Sequence, residues 1–415
     1  MMFGLLALAA AQTTTPCTAT LCDAEVLRPV FRRMAEARPG RDPVRIVQIG
    51  DSHTAGDQIT GAWRTALQTR YGSGGRGMLA PGRPYQGYLT RGVTVAQSPG
   101  WSVRGTFGAS YSAASTVPIG LTSYTATAPT PGAWMTVSAD TPVQAFDHLT
   151  LCGLAAPGGG SVQMTLGATS VTWSLDALVD RPACHTISVA TPTTNAEVKV
   201  LQGPVTLTSW TTERGGNGGV TLSNLGVVGA QLVHFERTDT RVLAAELAVA
   251  RPDLIVVAFG TNEAFKPNFS AADYDASVRR GIERLQRLAP GVPILMIGAP
   301  DAATNQPALQ RGADGTLSTC PGQAGWAPPA ALRQVQAIQR RAAHALGVAY
   351  WDWGQRMGGP CTAHLWAGEG RMRGDHVHFT RPGADVIAGL LQQDIDAALG
   401  ADTAAASFAP APLRP

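Results

Sequence analysis

Three short apolar runs closed by turn residues, Arg45–Ile49, Leu254–Phe259 and Ile294–Ile297, set the first constraint on this chain. A run that is apolar throughout, without alternation, suits a strand covered on both faces, as in a parallel sheet flanked by helices. Val348–Trp351 supplies a fourth. Helical patterns lie between and after them. Asp273–Leu288 puts Val278, Ile282, Leu285 and Leu288 on one face and Arg279, Arg280, Glu283 and Arg287 elsewhere, before Pro290-Gly291 stops it. Ala330–Leu346 and Pro382–Leu399 continue the alternation, the latter with a proline tolerated in its first turn. The pattern predicts an α/β domain with a mostly parallel sheet.

The first and second runs are far apart, and what separates them reads differently. Residues 91–219 are rich in Thr, Ser, Val and Gly, poor in charge and regularly broken by turn signals. "SVQMTLGATSVTWSL", residues 161–175, is representative: apolar and small polar residues alternate around a Gly-Ala-Thr turn. This is the pattern of a β-sandwich. A chain of 415 residues is also too long for one ordinary core. We therefore read a discontinuous α/β domain, 13–90 and 220–400, interrupted by an inserted all-β sandwich, 91–219. Residues 401–415 are small and proline-rich and read as a flexible tail.

The start, "MMFGLLALAAAQTTTPC", has a short apolar core followed by alanines, which reads as a secretory signal over 1–12, although it lacks a positively charged beginning. No other stretch reaches the roughly 20 apolar residues of a membrane span. Six cysteines fall as Cys17/Cys22, Cys152/Cys184 and Cys320/Cys361; in an exported chain the simplest reading is three disulfides within those regions. Zinc is the rival, and no C-x2-C spacing supports it. The net charge of +3 is scattered arginine with only Lys199 and Lys266 as lysines, so nothing indicates nucleic-acid binding.

In a parallel sheet, reactive groups gather at the carboxyl ends of the strands. Three segments there carry chemistry. In "RIVQIGDSHTAGD", residues 45–57, Ser52 follows a strand and a sharp glycine turn, where it is either a nucleophile or a plain helix N-cap. In "VVAFGTNEAF", residues 256–265, Asn262 is either an oxyanion donor or a turn residue. In "GDHVHFTRPGADVI", residues 374–387, Asp375 and His378 suit an orienting carboxylate and a base. His376 is an alternative base, and Asp375, His376 and His378 together are an alternative metal site, though the D-x-x-H spacing favours His378. Together the segments supply nucleophile, base, orienting acid and oxyanion donor, the set a hydrolytic serine site needs.

These residues, in this order, resemble the blocks of the SGNH (GDSL-type) hydrolases: "GDSH" with Ser52, "LGVVGAQL", "GTNE" with Asn262 and "DHVH" with Asp375 and His378. "IGDSHTAGD", "FGTNEAF" and the inserted β domain resemble in particular the bacterial peptidoglycan O-acetylesterases. The resemblance implies a flavodoxin-like three-layer α/β/α domain carrying a carbohydrate-binding-like sandwich. It implies Ser52 as nucleophile, His378 as base and Asp375 as its partner, with Ser52 N–H, Gly229 N–H and the Asn262 side chain as oxyanion hole. Gly226 competes with Gly229 in the same block. Glu263 departs from the common Gly-x-Asn-Asp, as it does in the peptidoglycan-acting subgroup. No cofactor and no metal are implied. His53 either touches substrate or packs in its turn, the latter favoured.

The function implied is that of an exported, periplasmic or secreted esterase acting on an acetylated glycan, most simply O-acetylated peptidoglycan at the muramic-acid 6-hydroxyl. An O-acetyltransferase, an acetylesterase for another polysaccharide, and a non-catalytic glycan-binding protein are the alternatives. Trp101, Tyr111, Tyr124, Trp134, Trp173 and Trp210 of the insert are candidate sugar platforms, although large aromatics in a sandwich are more often core.

Overall fold

The structure is a computed structural model that describes residues 17, 20–312 and 315–400. The signal reading at 1–12 and the tail reading at 401–415 lie outside the described residues. The apolar runs become the middle of a six-stranded sheet in the order Leu21–Cys22, Ala349–Trp351, Ile294–Ile297, Leu254–Ala258, Val44–Gly50, Val220–Gly226. All its pairings are parallel except that of Leu21–Cys22, an antiparallel edge.

Side-chain alternation along the buried strands divides the core in two. Ile46, Leu254, Val256 and Leu295 face one layer with Leu67, Ile387 and Leu391. That layer is built from the helices Arg28–Ala35, Ile59–Tyr71 and Arg381–Leu399. Val47, Ile49, Ile255 and Val257 face the other with Leu243, Val278, Ile282 and Ile338, from Thr240–Ala250, Ala271–Leu288 and Leu332–Ala345. The fold is thus a three-layer α/β/α arrangement. Helix and strand limits lie within two residues of those expected for the apolar runs and their helices.

The insert forms two antiparallel sheets. One runs Thr169–Ser174, Ser161–Leu166, Asn195–Gln202, Trp134–Ala139, Val93–Gln97; the other runs Arg181–Thr193, Phe146–Ala155, Val205–Glu213, Tyr124–Ala128, Ser102–Gly105. Their inner faces meet in a third core of Val137, Phe146, Leu151, Val162, Met164, Val198, Leu207 and Trp210. Gly77–Leu79, before the insert, pairs with Val205–Glu213, so the sandwich is sewn to the α/β domain at its root. Glu246 adds a second seam: from Thr240–Ala250 its carboxylate accepts from Thr208, Ser209 and the Leu121 N–H. The disulfides are Cys17–Cys22, Cys152–Cys184 and Cys320–Cys361.

After Val44–Gly50 and the insert, the chain returns beside it as Val220–Gly226, then crosses to Leu254–Ala258 on its other side. That reversal opens a crevice at the carboxyl ends of these three strands, the position where open α/β sheets bind ligands.

Candidate active site

Gly50 ends the first strand where any Cβ would meet Thr54 Oγ1 at 2.2 Å and Ala258 O at 2.5 Å, so the chain can turn there only without a side chain. Asp51 then caps the short Ser52–Ala55 helix, its carboxylate accepting from His53 N–H at 2.9 Å. The N-cap reading of Ser52 is thereby corrected: Asp51 does the capping, and Ser52, one residue on, keeps its hydroxyl free of that duty.

His378 Nε2 lies 3.0 Å from that hydroxyl oxygen. On the other edge of the ring, Nδ1 lies 2.8 Å from Asp375 Oδ2. An ionised carboxylate only accepts, so Nδ1 carries the proton and the Nε2 lone pair faces Ser52. Asp375 is itself held by the chain it orients, Oδ1 accepting from Val377 N–H at 3.0 Å and His378 N–H at 2.9 Å. Partial burial pushes its pKa up, but the two amides and the imidazole outweigh this and keep it below the ordinary carboxylate value.

His376 goes elsewhere. Its backbone is left-handed, with φ 58°, and its ring stacks on His364, with Nε2 3.1 Å from His364 Nδ1, and against Trp326 at 3.6 Å between centroids. Burial and the neighbouring His364 hold its pKa below the usual histidine value. Asp375, His376 and His378 therefore do not converge, and among the described residues no group of three metal-ligating side chains is found.

Asn262 sits in the Thr261–Ala264 turn after the Leu254–Ala258 strand. Its Nδ2 donates to Ala230 O at 2.9 Å, fixing the amide beside the Gly229–Ala230 turn and leaving a second N–H. Gly229 has φ 76°, which a glycine adopts at no steric cost. Gly226, its competitor, ends the Val220–Gly226 strand opposite Gly50, and a Cβ there would lie 2.1 Å from Ala55 N. Close packing of strand on turn accounts for that glycine. Among the described residues neither Ser52 N–H nor Gly229 N–H has a backbone acceptor.

Glu263, the departure from the common block, is buried and accepts with both oxygens, from Leu232 N–H at 2.8 Å and Gly260 N–H at 3.0 Å. The longer side chain spans two turns of the crevice wall. Burial raises its pKa to about 7, against the pull of those amides.

The cleft over Ser52 encloses about 280 Å³; Gly56, Ile59, Tyr85, Leu89, Val228, Arg373 and His378 help to line it. Tyr85 and Leu89 come from "GRPYQGYL", just ahead of the insert. Both lie outside the insert that held the aromatic candidates; their signal in the sequence is a proline- and glycine-framed tyrosine loop between the Ile59–Tyr71 helix and the insert. Of the insert's candidates, Trp210 and Tyr124 are buried core. Trp101 donates from Nε1 to Trp134 O, Trp173 stacks on His185, and Tyr111 lies under the Arg237 guanidinium at 4.0 Å. None of the six lines the cleft.

Residues 196–386 match the GDSL-like Lipase/Acylhydrolase family. That span begins in the last strands of the insert, contains Gly229, Asn262, Asp375 and His378, and excludes Ser52, which lies ahead of the insert. The class follows from fold and match together: the chain carries a GDSL (SGNH) lipase/acylhydrolase domain and is an esterase. A solved peptidoglycan O-acetylesterase matches with a TM-score of 0.72 and 25% identity, covering 92% of this chain and 99% of that one. A family two carbohydrate esterase from Cellvibrio japonicus matches at a TM-score of 0.27 and 14% identity, over 74% of this chain and 99% of that one. No curated protein matches.

Proposed function

We propose that the protein is an exported serine esterase that removes O-acetyl groups from a glycan, with O-acetylated peptidoglycan, at the muramic-acid 6-hydroxyl, as its substrate. The observation that carries this reading is the continuous row Ser52 Oγ, His378, Asp375, with contacts of 3.0 and 2.8 Å. His378 accepts the Ser52 proton as Oγ attacks the ester carbonyl. Asp375 holds the imidazole in the required tautomer and steadies its cation. The developing oxyanion is met by Ser52 N–H, Gly229 N–H and the spare N–H of Asn262, a contribution of about 3 kcal/mol for each well-placed donor. The sugar leaves with the proton from His378. Water then repeats the sequence and releases acetate.

A cleft of about 280 Å³, at the small end of ligand pockets, suits an acetyl group and part of a sugar better than a long acyl chain. The similarity to a peptidoglycan O-acetylesterase over nearly the whole of both chains, sandwich included, favours cell-wall glycan as the sugar. Three disulfides fit an oxidising compartment such as the periplasm, and none of the described helices is long and apolar enough to cross a membrane. The sandwich 91–219 serves as a glycan-facing module in this reading.

The test is acetate release by the purified protein from O-acetylated peptidoglycan, acetylated xylan and other acetylated polysaccharides, with and without an acceptor glycan. Release from peptidoglycan above the others is expected. Preference for another polysaccharide overturns the substrate, and transfer to the acceptor in excess of release makes the protein an acetyltransferase.

A further inference from the structure

His53 follows Ser52 directly, yet its ring is buried beneath the site. Nε2 lies 2.9 Å from Val377 O, in the loop between Asp375 and His378. A carbonyl only accepts, so Nε2 carries a proton. On the other edge, Nδ1 lies 3.3 Å from Asp51 Oδ1 and 3.4 Å from Thr261 Oγ1. The ring is walled by Trp353 at 5.3 Å and Phe379 at 5.7 Å, and sits 5.5 Å from the ring of His378. One side chain thus touches all three strand-end segments that build the site: the nucleophile turn, the Thr261–Ala264 turn and the base loop.

The base loop needs such a hold. Asp375 and His378 have side chains 46% and 37% exposed, so the loop's outer side is open to solvent. Its inner ties include Arg373 N–H to His378 O at 2.7 Å, His376 N–H to Arg373 O and Ala303 N–H to His376 O, both at 3.0 Å, the His376 ring against His364, and the His53 contact. Of these, only the His53 contact comes from the segment that carries Ser52.

We propose that His53 is a positioning residue: the Nε2–H bond to Val377 O sets the distance between Ser52 Oγ and His378 Nε2. This rests on the serine-esterase reading. Displacing a reacting group by about 1 Å costs on the order of 100-fold in rate, so loss of the tie falls on the chemical step and spares KM.

The two ring nitrogens can be tested apart. Glutamine places its amide nitrogen near Nε2 and keeps the donor to Val377 O; asparagine places it near Nδ1 and cannot reach. The readouts are kcat and KM for p-nitrophenyl acetate, the rate at which a fluorophosphonate labels Ser52, and the thermal midpoint. Labelling and kcat should fall about 10- to 100-fold in His53→Asn and stay within about three-fold in His53→Gln, with KM steady in both. Wild-type labelling rates in His53→Asn, or equal losses in the two variants, overturn the proposal. Independently of any variant, the ¹⁵N spectrum of the wild type must show a proton on His53 Nε2; a bare Nε2 overturns it as well. A wild type that is unlabelled, or labelled elsewhere than Ser52, refutes Ser52 as the nucleophile and removes this proposal with it.

Discussion

Replacing Asp57 by alanine should destabilise the fold strongly without altering any residue of the triad. Asp57 is fully buried at the end of the opening motif, in a left-handed backbone with φ 47°. Its Oδ1 accepts from Thr60 at 2.7 Å, Asn224 at 3.0 Å and Arg64 at 3.2 Å. Its Oδ2 accepts from Arg64 at 2.9 Å, Arg76 at 3.1 Å and the Arg91 N–H at 2.7 Å. Burial pushes its pKa up, but the two guanidinium groups outweigh this and hold it well below the usual carboxylate range.

Without Asp57, Arg64 and Arg76, 3% and 0% exposed, keep only the Leu222 and Arg91 carbonyls. Breaking one buried ion pair by removing a partner costs about 3–5 kcal/mol. Two cations share this carboxylate, so we expect the upper end, about 5 kcal/mol, out of a usual total of about 5–15 kcal/mol. The assay is urea unfolding followed by tryptophan fluorescence, with the shift in midpoint multiplied by the slope. Asp57→Asn, isosteric but uncharged, should fall between wild type and Asp57→Ala. A loss below about 1 kcal/mol in Asp57→Ala would mean that the two guanidinium groups find water or other partners and do not depend on this carboxylate.

Two further outcomes follow from the site. Asp375→Asn keeps the shape but can no longer force the proton onto His378 Nδ1, so kcat on an acetyl ester should fall by about 10⁴ while the thermal midpoint changes little; a loss under ten-fold would mean that Asp375 does not orient the base. Glu263, whose pKa is raised to about 7, binds its proton more tightly folded than unfolded, so its effect on stability worsens as pH rises from 4.5 through about 7. The unfolding free energy of Glu263→Gln relative to wild type should therefore improve by about 3 kcal/mol between pH 4 and 8, and a pH-independent difference would contradict the assignment.

What was legible in the sequence was what depends on continuous patterns. Ile294–Ile297 is a strand because nothing in it is polar, and the Asp273–Leu288 helix shows its face every turn. The Val220–Gly226 strand was hidden because Thr221, Ser223 and Asn224 are as buried as its valine and leucines. Their polar groups are satisfied at a distance: Ser223 Oγ accepts from Met78 N–H, and Asn224 donates to Thr54 O, Asp57 and Thr60. No local pattern announces a bond made across more than a hundred residues. Site residues split the same way. Ser52, Asn262, Asp375 and His378 stand in short ordered blocks, whereas the part His53 plays depends on a carbonyl 324 positions away.

If Ser52 is the nucleophile, it carries the acyl group between the two half-reactions. Wild-type protein mixed with acetylated substrate, quenched in acid at early times and mapped by mass spectrometry, should show one acetyl group on the peptide containing Ser52, and Ser52→Ala should show neither the adduct nor turnover. Acetyl on another residue, or acetate release persisting in Ser52→Ala, would contradict the account.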